Sequence, residues 1–242
     1  MKNSLFYELL QVALECRASF TASLSDAEWQ DLHECAVKQT LVGICYTGIL
    51  RLSPEQRPSA DNLILWYGLT RNIEEHNRLM NTRSLEACRY FEQHGFHACV
   101  LKGQGNAQLY PWPLRRQSGD IDVWLIPMEG HENGAVKKID LKKTRQEVLH
   151  WVKKRYPKAR ANLRHVQFPI LQDIEMEIHF VPSFMRCPLA NRRLRAFYES
   201  EALMQMEHRM MLDGVDAGLG LLSCPTAKFN LVFQLTHLFE HF

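Results

Sequence analysis

The run Ile121-Asp122-Val123-Trp124-Leu125-Ile126 restricts the fold more than any other stretch of the chain. From Val123 onward both alternating faces are apolar, and Pro127 closes the run, so the segment reads as a central β-strand rather than an exposed edge. It opens with Asp120 and Asp122. Two positions apart on a strand, these side chains share one face about 6.5 Å apart along the chain. Alone they would repel each other. A divalent cation between them removes that cost, and Mg²⁺ favours oxygen ligands, one or two from protein carboxylates and the rest from water and substrate phosphates.

The surroundings of this strand define an α+β architecture. Up to residue 94 the pattern is helical. Leu5, Leu9, Val12 and Ala13 recur at helix spacing, Ser25 with Glu28 forms a capping box, and the stretch from Ser59 is expected to be one long helix ended by Gly95. A sheet is then expected to begin at "HACVLK", run into a turn at Gly103 and Gly105, and continue through "DIDVWLI". "GNAQLY" is expected to form a short helix and Asp140 to Arg155 a longer one, followed by strands over "NLRHVQFPI" and "DIEMEIHFV". Helices resume near Leu189. The expected organisation is a helical region 1–94, a sheet core 95–187 and a helical region 188–242. The last of these ends in the strongly apolar "AKFNLVFQLTHLFEHF" without a cap, so more helix is expected beyond residue 242.

With 46% hydrophobic residues the chain can build a core, and a net charge of +2 favours no class of partner. Seven cysteines, an odd number without a C-x-x-C pair, suggest neither a disulfide framework nor a zinc knuckle, so reduced and mostly buried thiols are expected. The N-terminus carries Glu8 and Glu15 among its apolar positions and is no secretion signal. No segment has the roughly 18 consecutive apolar residues of a membrane span. A cytoplasmic location and no membrane partner are therefore expected. Between residues 137 and 164, eleven Lys or Arg face only Asp140 and Glu147, a net +9 that reads first as a solvated helix face and second as a track for a polyanion. Trp151 and Tyr156 are too few to form a base-stacking platform.

Other side chains gather around the aspartates in sequence. "DIEMEIHF" alternates, with Asp173, Glu175, Glu177 and His179 on one face, so it can bring a third carboxylate to the pair. Lys102 and Gly103 end the preceding strand, where bare backbone can approach a phosphate. Arg115, Arg116, Ser118 and Gly119 directly precede Asp120. Each has a plainer reading: Lys102 as a surface lysine, Gly103 as a turn, the arginines as counter-ions of the aspartates. His179 reads as a hydrogen-bonding residue, and His237 with His241, lacking a third ligand, as structural.

Together "VLKGQGNAQLYPWPLRRQSGDIDVWL" and "IEMEIHF" resemble the uncharacterised nucleotidyltransferase family of the DNA polymerase β superfamily, with its Leu-Lys-Gly, Tyr-Pro, Arg before Asp-hydrophobic-Asp, and later Glu-hydrophobic-His-aromatic. The resemblance implies a polymerase β-like nucleotidyltransferase fold, a short mixed sheet flanked by helices. It implies that Asp120, Asp122 and Glu177, rather than Glu175, are the catalytic and metal-binding carboxylates, with Mg²⁺ or Mn²⁺ as cofactor. Lys102, Gly103, Arg116, Ser118 and Gly119 would form the nucleotide side. The implied reaction transfers a nucleoside monophosphate from a nucleoside triphosphate to an acceptor hydroxyl on a small molecule, protein or RNA, releasing pyrophosphate. The chain departs from the wider superfamily where a Gly-Ser is common, carrying Lys102-Gly103-Gln104 instead, seventeen positions before Asp120. This departure keeps open a nucleotide-binding or regulatory protein with little turnover; a toxin–antitoxin-type modifier of protein or tRNA is a further alternative.

Overall fold

The computed structural model describes residues 2–128, 139–216, 218 and 220–240. By contacts the chain divides into two units, 1–79 with 107–118, and 80–106 with 119–242.

The first unit is helical: α1 Lys2–Ala13, α2 Asp26–Lys38, α3 Val42–Arg51 and the part of α4 (Ala60–Gln93) up to Leu79. Its core is the apolar stripe of each helix, with Leu9, Val12, Trp29, Leu32, Cys45, Ile49 and Trp66 buried together. Helix α2 starts where the capping box predicts. Ser25 Oγ accepts from the Glu28 amide, and the Glu28 carboxylate accepts from the Ser25 amide at 2.8 Å. Here the structure corrects the plainer reading of Arg115. Its guanidinium pairs with Glu74 at 2.9 Å, donates to Thr47 Oγ1 and stacks 4.7 Å from the Trp112 ring, so its counter-ion is Glu74.

The second unit contains the rest of α4, which stops just before Gly95, a residue with a φ of +84° that suits a left-handed helix end. Then follow β1 Phe96–Val100, α5 Gly103–Ala107, β2 Ile121–Pro127, α6 Leu141–Arg155, β3 His165–Gln167, β4 Met176–His179, α7 Pro188–Glu207, β5 Arg209–Met210, β6 Leu222–Ser223 and α8 Ala227–Glu240. The main sheet has the order β1-β2-β4-β3, with β2 and β4 parallel and the other pairs antiparallel. This is a mixed four-stranded sheet with helices, an α+β unit.

Strand β2 is central, and every residue from Ile121 to Ile126 is buried. Ile121, Val123 and Leu125 face a core shared with Phe91 of α4 and with Val148 and Val152 of α6. Trp124 and Ile126 face the other core, with Tyr198 of α7 and Phe229 and Phe233 of α8, and Trp124 stacks on Phe229 at 5.6 Å. Helices on both faces explain why β2 is apolar on both sides.

Some elements differ from expectation. The strands expected over "NLRHVQFPI" and "DIEMEIHFV" shorten to three and four residues, and the helix expected over "GNAQLY" begins earlier, at Gly103. Between α7 and α8 lies an antiparallel β5–β6 pair where helix was expected; strands of two residues are too short to show an alternating pattern. Asp140 caps α6, accepting from the Lys142 and Lys143 amides. The described lysines and arginines of the basic stretch from Lys142 to Arg160 are exposed, whereas Trp151 stacks inward on Phe168; Lys137 and Lys138 lie outside the described residues. His237 packs on Phe233, and His241 also lies outside the described residues. All seven cysteines are free thiols, four of them buried. Among the described residues, no helix is long and apolar enough to cross a membrane.

Candidate metal centre and its family

The parallel pairing of β2 with β4 places Asp122 opposite Glu177 in register. Asp120 lies just ahead of β2, where the Ile121 amide donates to Glu175 O and anchors the strand end. Ligand oxygens of Asp120, Asp122 and Glu177 lie within 4.8 Å of one another. Asp122 is buried, with 2% exposure, while Asp120 and Glu177 are half-buried. Glu175, the rival on the same strand face, is exposed.

Each carboxylate has its own environment. The Asp122 carboxylate faces two cations or donors: His179 Nε2 at 2.8 Å from Oδ1, and Lys102 Nζ at 3.0 Å from Oδ2. The lysine contact is an ion pair without hydrogen-bond alignment, which leaves Oδ2 buried with no aligned donor. Burial disfavours the Asp122 anion, but the His179 hydrogen bond and the charges of His179 and Lys102 outweigh it and bring the pKa down to about 2. Asp120 goes the other way, raised by burial and then by repulsion from Asp122. Glu177 is lowered, first by its hydrogen bond with His179 and then by the charge of His165.

The two histidines sit across the β3–β4 pair, where His165 is in register with His179. His165 Nδ1 is 2.9 Å from Glu177 Oε2, and its ring meets that of His179 edge-on at 5.1 Å. Burial lowers the pKa of His165, opposed by Glu177; at His179 burial also works against the charged form, but hydrogen bonds to Asp122 and Glu177 prevail and raise it. The hydrogen-bonding role read for His179 is thus met by Asp122. His165 was not singled out from sequence, because nothing local marks which strand β4 will pair with.

Three carboxylates against the Lys102 ammonium and the His179 imidazolium leave one excess negative charge in a partly dry site, which a divalent cation offsets. The residues fit such an ion. Mg²⁺ holds oxygen ligands at about 2.1 Å, so two on opposite sides stand about 4.2 Å apart, and the spread of 4.8 Å closes with small side-chain movements. The family model described as an uncharacterised nucleotidyltransferase matches residues 25–242. The chain belongs to this family. No curated protein and no solved structure matches it.

In this nucleotidyltransferase family member the remaining candidate residues separate by unit. Lys102, Gly103 and Gly119 lie in the second unit with the carboxylates, and Arg116 and Ser118 lie in the first. Lys102 is no free surface lysine; it is the ion-pair partner of Asp122. Gly103 has a φ of +48° and opens α5, a left-handed start that disfavours side chains with a Cβ. Gln104, which follows Lys102-Gly103 in place of the expected Gly-Ser, is buried and donates to Asn81 Oδ1 at 2.5 Å, so it belongs to the interior. In the first unit Arg116 donates to Ser118 Oγ at 2.7 Å. A Cβ on Gly119 would meet nothing within 4 Å, so no close packing requires glycine there.

Proposed function

We propose that this protein is a metal-dependent nucleotidyltransferase built on a polymerase β-like arrangement, with Asp120, Asp122 and Glu177 holding Mg²⁺ or Mn²⁺. The reaction joins an acceptor hydroxyl oxygen to the α-phosphorus of a nucleoside triphosphate, breaks the bond from that phosphorus to the β-phosphate oxygen, and releases pyrophosphate. When bound, a pair of divalent ions stabilises the entering and leaving oxygens of such an in-line displacement. Asp120 and Asp122, fixed at the end of a buried strand, need little reorganisation to hold their share of the ligands. Glu177, half-buried, is the proposed base that takes the proton of the acceptor hydroxyl. Lys102, Gly103 and Gly119 form the proposed nucleotide side within the second unit, with Lys102 supplying positive charge beside Asp122.

The observation that carries the proposal is the convergence within 4.8 Å of three carboxylates, one just ahead of β2, one on β2 and one on β4, in a chain of this family. It is tested by incubating the chain with each nucleoside triphosphate, Mg²⁺ or Mn²⁺ and cell extract, and measuring pyrophosphate. Release above that of Asp120→Ala and Asp122→Ala variants supports the activity, and equal release rejects it. One contact favours a second reading, a nucleotide-binding protein of little turnover: the Lys102 ammonium, 3.0 Å from Asp122 Oδ2, holds an oxygen that the cation needs. Saturable nucleotide binding without pyrophosphate release would decide for that reading.

A further inference from the structure

Ligand atoms of His165, Glu177 and His179 also lie within 4.8 Å of one another, as they would in a mixed nitrogen and oxygen metal site. The hydrogen bonds around His165 argue for another role. Asn162 Oδ1 accepts from two backbone amides, those of Arg164 at 2.8 Å and His165 at 2.9 Å. That fixes which end of the Asn162 amide is oxygen. Its NH₂ group therefore faces His165 Nε2, 2.7 Å away, and Nε2 must keep its lone pair to accept. The ring hydrogen then sits on Nδ1, and the atom standing 2.9 Å from that nitrogen is Glu177 Oε2.

We propose that Asn162 locks His165 into the Nδ1–H tautomer, and that His165 so locked is a positioning residue that orients Glu177 and does not bind the cation. A metal on Nδ1 would drive the hydrogen to Nε2, against the Asn162 NH₂. Nδ1 has no aligned hydrogen-bond partner among the described residues, so a small turn of the Glu177 carboxylate satisfies a buried donor while fixing the carboxylate. His179 does the same for Asp122 through Nε2, at 2.8 Å. Each of the two register-paired carboxylates thus has an imidazole behind it, as metal-ligating carboxylates commonly have hydrogen-bonding support. The site keeps oxygen ligands, which suits Mg²⁺ and Mn²⁺ over softer ions. This inference rests on the metal reading for the role of Glu177, but not for the tautomer.

The tautomer is read without metal, by ¹⁵N NMR of the chain, with the His165 ring signals assigned as those lost in His165→Leu. A protonated Nδ1 and an unprotonated Nε2 are expected; the reverse pattern overturns the lock. The positioning role is read by Mn²⁺ titration followed by electron paramagnetic resonance. His165→Leu is expected to weaken Mn²⁺ binding at least tenfold, on the scale of 10- to 100-fold for such supporting partners, and His165→Gln, which keeps an N–H donor, to recover most of it. Unchanged affinity in a folded His165→Leu overturns the role, as does a manganese-bound nitrogen signal that disappears in that variant. Asp120→Asn separates the two ideas: if it binds Mn²⁺ as the parent does, the metal reading itself fails.

Discussion

Asp122 on β2 and Glu177 on β4 are direct register partners on adjacent parallel strands. Neighbouring strands are about 4.8 Å apart, so paired side chains on one face are held at a separation a single cation can span. Burial then sets their surroundings apart: Asp122 is enclosed and held by His179 and Lys102, whereas Glu177 is half-buried.

Replacing either partner by its amide is expected to abolish the transfer without unfolding the chain. Asp122→Asn keeps an oxygen for His179, and Glu177→Gln keeps its volume. Loss of ligand charge at a metal site is worth several kcal/mol of transition-state stabilisation, on the order of a thousandfold in rate. Pyrophosphate release with circular dichroism checks this, and activity within tenfold of the parent would remove these residues from the site.

Lys102→Met is expected to destabilise the metal-free protein and to do less harm when metal is present. It leaves the buried Asp122 Oδ2 without its positive partner. Breaking such a pair costs about 3 kcal/mol. A divalent cation replaces the missing charge, so thermal melts in chelator and in saturating Mg²⁺ should show a smaller loss in Mg²⁺. An equal loss in both would contradict the placement of the cation beside Asp122.

Asp140 gives a pH-dependent prediction away from the site. Hydrogen bonds from the Lys142 and Lys143 amides hold its carboxyl below the ordinary value of 3.8. A carboxylate depressed in the folded state stabilises it fully above the unfolded pKa and loses that contribution as pH falls through the folded one. Asp140→Ala should therefore melt earlier at pH 7, by the roughly 1 kcal/mol typical of a lost N-cap. The gap between variant and parent should narrow as pH drops below about 4, and a gap that widened on acidification would contradict the cap.

Two glycines near Lys102 should resist substitution for different reasons. A Cβ on Gly105 would come within 3.0 Å of Val100 O and 3.1 Å of Cys224 Sγ, so Gly105→Ala is expected to cost about 1–3 kcal/mol through overpacking. Gly103→Ala would suffer instead from its φ of +48°, at about 1–2 kcal/mol. Urea denaturation of both variants reads these costs, and neutrality at Gly105 would mean that the β1–α5 turn is looser than described.

What the residues alone determined was local. Two-sided apolarity from Val123 to Ile126 marked a central strand, Ser25 with Glu28 marked a helix start, and Gly95 marked the end of a long helix, because burial and capping write themselves into neighbouring positions. Glu175 and Glu177 could not be told apart by alternation, which places both on one face; only the resemblance to a family chose between them. Tertiary structure decided the partners. The β2–β4 register set Glu177 beside Asp122, the β3–β4 pairing brought His165 to Glu177 with Asn162 on the far ring nitrogen, Lys102 went to Asp122, and Arg115 went to Glu74 rather than to the aspartates. Side-chain periodicity states which face of an element is buried, but strand order and register arise from the summed packing of distant segments, and no short stretch carries that sum.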